Sequence, residues 1–385
     1  MIVINKLTKK TKMEKGINSI YLITSNSESG TIESLPPTEN LNILTVNELA
    51  ISDLHFSNSE KVCITSEASL DLLVSRITDD NKINAILKLK DKFLFREILL
   101  NIYPNYKFQK IKVEEIKSLI ITEKSVIKPI KGCFGTAVRV IEPNIDFLKL
   151  SIELQDEMQK NGVVFSESVL SKEDFLVEEF ISGEEYAVDM FYNSNGEPCI
   201  VNIYHHPMPN NLAYLHMIYY SSKSVFDEIY DKAKYFFTEL NKILKVKNFA
   251  MHSEFKLNDE QLIPIEINSM RFGGMGLGNM IFHTAGVNPY QYFVEEREPN
   301  WEAIWQGKET NNFVYFIAYN SINKSPKSHK PNLIKLEEKF SKILLEKQFD
   351  YQKQLAFGIF CLEETNQTIQ ELLKIEFDDY FDQIN

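Results

Sequence analysis

The chain has 385 residues, 44% hydrophobic and 25% charged, with a formal net charge of −12. This is the composition of an ordinary soluble globular protein, long enough for two or three hydrophobic cores. The acidic balance argues against a nucleic-acid partner, and no apolar run approaches the ~18–20 residues of a membrane span.

The first residues lack a signal peptide's order of charged region, apolar core and cleavage site. Cys63, Cys133, Cys199 and Cys361 are scattered without CxxC spacing, which points to neither a zinc site nor a disulfide framework. The expected compartment is a reducing cytoplasm.

Short apolar runs at 1–4, 19–24, 41–45 and 61–65 read as strands, and 67–77 has helical spacing at Leu70, Leu73 and Ile77. Together they predict a small α/β domain. From Lys88 a helix is expected to run through Lys92, Phe95 and Leu99 and to stop before Pro104. Strands are expected over 106–113 and 124–129 around a short helix, then a strand over 136–141 and a helix over 147–161. The apolar, acidic run 175–180 precedes a hairpin of 185–192 and 198–204 around Asn195-Gly196. A long helix over 225–244 follows. From Trp301 onward, strand and helix signals mix without resolving, and Trp301 and Trp305 read as packing residues.

The hairpin of 250–256 and 262–268 carries the strongest chemistry. Strand side chains alternate, so Glu266 and Asn268 share one face, with Ile263, Ile265 and Ile267 on the other. An odd-length turn centred on Glu260 would set Glu254 opposite Glu266 and His252 opposite Asn268. Two carboxylates at cross-strand distance repel unless a cation lies between them. Oxygen donors of this kind suit magnesium, which fills its octahedron with water and phosphate oxygens. An amphipathic hairpin with a solvated acidic face would show the same pattern.

Two further segments are weaker alone. Residues 126–136, Val-Ile-Lys-Pro-Ile-Lys-Gly-Cys-Phe-Gly-Thr, enter and leave as strands around Gly132 and Gly135. Such glycines let backbone N–H groups approach phosphate, with Lys128 or Lys131 supplying charge; a plain β-turn reads the same way. Residues 175–189 contain Glu178-Glu179-Phe180-Ile181 and Glu185. A strand end there can offer groups to an adenine edge and a carboxylate to ribose, or be an acidic edge facing water. His205 and His206 fit either substrate contact or loop histidines, and no evident base activates Cys133.

The order of these signals, Lys92, Lys128 before the glycine loop, Glu178 to Ile181, Glu185, then Glu254, Glu266, Asn268 and Arg271, resembles the ATP-grasp superfamily over roughly residues 88–293. Residues 265–274, Ile-Glu-Ile-Asn-Ser-Met-Arg-Phe-Gly-Gly, and 285–290, Ala-Gly-Val-Asn-Pro-Tyr, are especially similar to its amino-acid and dipeptide ligases. The resemblance implies a mixed α/β and α+β architecture in four parts. These are an N-terminal α/β (pre-ATP-grasp) domain over 1–87, a small lobe with the glycine loop over 88–177, a large lobe with the magnesium site over 178–300, and a C-terminal α/β segment over 301–385. ATP would lie between the lobes. Lys92 and Lys128 then match the phosphate-binding lysines, with Lys131, Gly132 and Gly135 in their loop. Glu178, Glu179, Phe180 and Ile181 match the adenine hinge, and Glu185 the ribose-binding acid. Glu254, Glu266 and Asn268 match the magnesium (or manganese) ligands, and Arg271, acting with Lys128, the arginine that orients the carboxylate and its acyl phosphate.

The implied activity is ADP-forming ligation of a small carboxylic acid or amino acid to an amine, with no nucleic-acid or membrane partner. A homodimer is compatible with it. An ATP-grasp carboxylase, an acid–thiol ligase and a non-catalytic nucleotide-binding protein are the alternatives. The sequence departs from the family at Cys133 and Phe134, where small or hydroxyl residues are common, at Glu179, where many relatives carry lysine, and at Ser269-Met270, where a proline is usual.

Overall fold

The computed structural model describes residues 19–25, 35, 40–132, 136–161, 171 and 173–384. The strand expected over 1–4 and the loop tip at Cys133, Phe134 and Gly135 lie outside them. Strands β1 (Ile20–Thr24), β2 (Leu41–Thr45) and β3 (Lys61–Ile64) form a parallel sheet in the order β2-β1-β3. β1 is buried along its whole length, as an apolar run in a parallel sheet requires. Alternation sends Tyr21 and Ile23 into the main core and Ile20 and Leu22 into a second core containing Phe191, Phe272 and Phe293.

The helix expected from Lys88 is two helices, α1 (Asp80–Lys90) and α2 (Lys92–Leu99). Asp91 breaks them: its backbone is extended, and its side chain accepts from the N–H groups of Phe93 and Leu94 at 3.0 Å. Lys92 therefore starts a new helix, and its N–H donates to the Ile130 carbonyl at 2.7 Å.

The small lobe holds β4 (Phe108–Lys112), β5 (Ser125–Pro129), β6 (Arg139–Ile141), α3 (Phe147–Asn161) and β7 (Asp174–Glu179). Its antiparallel sheet runs β4-β7-β5-β6, and Leu150, Leu154 and Met158 of α3 pack on Ile127, Phe175 and Val177. The strand expected from residue 136 starts only at Arg139, because Ala137 takes φ 55°, outside the extended region.

The large lobe contains β8 (Glu184–Tyr192), β9 (Pro198–His206), β10 (Ile218–Ser221), α4 (Lys223–Leu244), β11 (Phe249–Asn258), β12 (Gln261–Ser269) and β13 (Asn312–Tyr319). β14 (His329–Pro331), β15 (Lys342–Gln348), β16 (Ala356–Glu364) and β17 (Phe381–Gln383) follow. Eight of these form one sheet in the order β12-β11-β8-β9-β10-β13-β16-β15, while β14 and β17 pair separately. Strands on both sides of residue 300 thus share a sheet, and the unresolved signals after Trp301 become its outer strands. Ser222 caps α4 by accepting from the Val225 N–H, and the i, i+3, i+4 series Val225, Phe226, Ile229, Ala233, Phe236, Phe237, Leu240 is buried. Trp301 and Trp305 pack on Phe226 from this helix, with centroids 4.3 and 5.3 Å away. Among the described residues no helix is long and apolar enough to cross a membrane.

Candidate active site

β11 and β12 pair as expected at the top of their hairpin, His252 opposite Asn268 and Glu254 opposite Glu266. The route differs. The turn is the two residues Asp259 and Glu260, which alone would shift the register; a bulge at Ile265 restores it. The bulge also swaps faces, so Ile263 and Ile265 do not join Ile267 in the main core. They pack instead with Ile181 and Tyr106 at the lobe junction, on the side that Glu266 and Asn268 occupy above the bulge. Glu254 is pushed up to about 7 by burial and then by the neighbouring Glu266 charge. The pair's close partners are few: Lys92 Nζ lies 3.5 Å from Glu266 and the His252 ring Nε2 3.8 Å from Glu254. Among the described residues no three His, Cys, Asp or Glu side chains converge as a metal cluster. Two carboxylates and an amide with excess negative charge nevertheless fit a hard divalent ion that keeps water and phosphate ligands.

In the small lobe, charge is balanced instead. Glu178 of β7 is buried and accepts from Arg96 Nε at 2.5 Å, Arg96 Nη2 at 3.2 Å and the Tyr106 hydroxyl at 3.0 Å, with Lys128 Nζ at 2.6 Å. Burial pushes its carboxyl up, but Arg96 and Lys128 outweigh this and hold it at about 2. Lys128 is lowered by burial and by the cations Arg96 and Lys92. Arg96 also donates from Nη2 to the Ile265 carbonyl at 2.9 Å, tying this cluster to the bulge of β12.

The two regions border one cleft. A cavity of about 200 Å³ is lined by Glu254, Glu266, Asn268, Arg271 and Gly132, whose carbonyl accepts from Lys92 Nζ at 3.2 Å. Arg271 Nε is 3.5 Å from Glu67, which also pairs with Lys90. Asp189, fully buried, fixes the cleft's rear. It accepts from the Tyr204 hydroxyl and the Gly273 N–H at 2.8 Å each and lies 2.8 Å from His252 Nδ1.

A family model of the ATP-grasp domain matches residues 121–279. The chain carries an ATP-grasp domain. Its fold is shared along nearly its whole length with an L-amino acid ligase from Bacillus licheniformis (14% identity, TM-score 0.64, 96% of this chain and 99% of that one). It is likewise similar to a biotin carboxylase from Campylobacter jejuni (12%, 0.58, 96% and 93%) and an N5-carboxyaminoimidazole ribonucleotide synthetase from Thermotoga maritima (12%, 0.57, 95% and 99%). No curated protein sequence matches the chain.

The cleft gathers Lys92, Gly132, Glu254, Glu266, Asn268 and Arg271, whereas Lys128 pairs with Glu178 in the small-lobe cluster. The expected hinge residues lie at the other end of β7. Ile181 is buried on Tyr106 and Ile263, Glu179 accepts from the Lys107 N–H at 3.1 Å, and half-exposed Phe180 carries Lys124 Nζ 4.2 Å from its ring centre. The Glu178 side chain faces its cationic partners, so its carboxylate serves to hold Lys128. Glu185 is bound by His206 Nδ1 at 2.6 Å and Lys256 Nζ at 3.2 Å. Lys131 stands beside the cleft with Glu67, Lys90 and Asp91. Alternation along β9 separates the two histidines. His206 stacks on Tyr219 at 4.2 Å and on His216 at 5.3 Å, on the cleft side; His205 turns away to Glu184 and Tyr220. Sequence reasoning missed Arg96, Glu67 and Asp189. Arg96 had a usable signal, lying i+4 from Lys92 on one helix face.

Proposed function

We propose that this chain is an ADP-forming carboxylate–amine ligase that uses ATP and a divalent cation. The observation that carries the reading is the under-neutralised Glu254/Glu266 pair beside Asn268, facing a cavity that Arg271 also enters. Magnesium held by Glu254, Glu266 and Asn268 would supply charge neutralisation at the phosphate oxygens. Lys92 and Lys128 would hold phosphate oxygens, Gly132 would bring backbone close to them, and Glu185 would take ribose hydroxyls. Arg271 offers two parallel donors to a carboxylate.

In the first step a carboxylate oxygen attacks the γ-phosphorus, the bond to the β-phosphate oxygen breaks, and ADP leaves. In the second, the amine nitrogen attacks the acyl carbon, phosphate departs and the nitrogen loses a proton to give the amide. The protein's contribution is to orient the reactants and stabilise developing charge. A carboxylase reading shares all of the ATP machinery and draws support from the biotin carboxylase likeness. The amine reading is favoured by similarity at 265–274 to amino-acid ligases and by the Glu67–Arg271 pair, opposite charges suited to an amino acid. ADP release should require both a carboxylic acid and an amine, and hydroxylamine should trap a hydroxamate. Release of AMP and pyrophosphate, or ADP release driven by bicarbonate without a carboxylic acid, would overturn the proposal.

A further inference from the structure

The cavity in front of Arg271 has a wall that ATP chemistry does not require. β13 lies beyond the matched domain, in the part of the chain whose sequence signals were unresolved, yet it reaches the cleft. Alternation decides which residues face it. Val314, Phe316 and Ala318 turn to a separate core with Leu362 and Phe377, whereas Tyr315, Ile317 and Tyr319 line the cavity. Met275 and Leu277 complete this wall from the glycine-bounded loop, where Met275 and Gly276 take φ 52° and 87°. The Tyr315 hydroxyl donates to the Met275 carbonyl at 2.6 Å and fixes loop to strand. His216, just before the β10 strand that pairs with β13, also lines the cavity; burial holds it down to about 4 and therefore uncharged at neutral pH.

The charged groups come from other elements. Arg271 comes from the end of the magnesium-type hairpin, and Glu67 comes from the N-terminal domain. Arg271 Nε has no hydrogen-bond partner among the described residues, with Glu67 Oε1 3.5 Å away. An oxygen acceptor of a ligand would satisfy the guanidinium, and an ammonium would share the Glu67 carboxylate with Lys90.

Resting on the ligase reading above, we infer that the acid substrate is an α-amino acid with an uncharged apolar or aromatic side chain. Its carboxylate meets Arg271, its ammonium meets Glu67, and its side chain lies on Tyr315, Ile317, Tyr319, Met275 and Leu277. Glu67 is then a specificity residue supplied by the N-terminal domain, and Ile317 one supplied by the C-terminal segment. A charged side chain on this wall would lose water without finding a partner, which strongly disfavours it.

Hydroxamate formation with ATP, magnesium and hydroxylamine tests this without knowledge of the natural amine. L-phenylalanine, L-methionine, L-leucine, L-aspartate, L-lysine and 3-phenylpropanoate would be compared by kcat/KM. At least one of the three apolar amino acids should exceed aspartate and lysine by about tenfold or more, and phenylalanine should exceed 3-phenylpropanoate, which lacks the ammonium. Ile317→Ala should lower kcat/KM for the preferred acid about tenfold with KM for ATP unchanged. Glu67→Gln should shrink the ratio of phenylalanine to 3-phenylpropanoate. Should that variant not fold, the wild-type ratio still decides the ammonium contact. Preference for a charged amino acid, or equal use of phenylalanine and 3-phenylpropanoate, overturns the inference while leaving the ligase reading intact. Absence of ADP release with all six acids overturns that reading and this assignment with it.

Discussion

Glu178 is a buried acid and Glu254/Glu266 a partly buried pair on another sheet, and the protein treats them in opposite ways. Glu178 receives Arg96, Lys128 and the Tyr106 hydroxyl, and its carboxyl is held at about 2. Glu254 faces another carboxylate with a histidine 3.8 Å away and is pushed up to about 7. A fully compensated acid is part of the scaffold: it sets the position of Lys128 and, through Arg96, of the β12 bulge. An acid pair left short of positive charge costs folding energy, a cost that the proposed cation would relieve.

Conservative amide substitutions should therefore diverge. Glu266→Gln keeps shape and removes like-charge repulsion, so thermal stability should hold or rise. Turnover should fall about a hundred-fold or more, from the loss of roughly 3–5 kcal/mol of transition-state stabilisation at the phosphates. Glu178→Gln leaves Arg96 and Lys128 as uncompensated buried cations and should cost about 3–5 kcal/mol of stability in urea or thermal unfolding. Equal destabilisation by the two changes would erase the distinction, and near-normal turnover in Glu266→Gln would remove the metal assignment.

Acid titration sharpens the same contrast. Glu178 has a folded-state pKa of about 2 against an ordinary 4.5, so its stabilisation is complete above pH 4.5 and is lost as pH falls through about 2. That window corresponds to roughly 3 kcal/mol. The stability gap between wild type and Glu178→Gln should narrow steadily as pH falls from about 5 toward 2. A gap that stays constant would mean that the carboxylate is not held ionised by its neighbours.

How far these roles could be read from sequence depended on how local the pairing is. The metal-type face of the hairpin was legible because β11 and β12 are adjacent in the chain and period-2 alternation sorts their side chains. Even so, the bulge at Ile265 was invisible, and with it the redirection of Ile263 and Ile265 toward Ile181. The break at Asp91 was missed because the helical spacing of α2 continues that of α1, and only the cap separates them. β13 and β16 did not emerge because each takes its register from the other, 37 or more positions away. Glu67 and Arg271 meet across about half the chain, which no local pattern records.

The smallest expected effect concerns the cation that stands between the two regimes. Arg271 is largely buried, yet its contact with Glu67 is only a 3.5 Å approach, looser than the Arg96–Glu178 fork. A side chain held this way keeps donors for a ligand, and its position three residues past Asn268 sets it on the cavity that the metal-type carboxylates line. Arg271→Lys keeps the charge but replaces two parallel donors with a single ammonium, which cannot copy a bidentate grip on a carboxylate. The loss should be on the order of 1–2 kcal/mol, or about tenfold in kcat/KM for the acid, with KM for ATP little changed. Varying acid and ATP separately in steady-state kinetics separates the outcomes. A change confined to ATP would assign Arg271 to the nucleotide, and no change would make it, like Arg96, a scaffold cation.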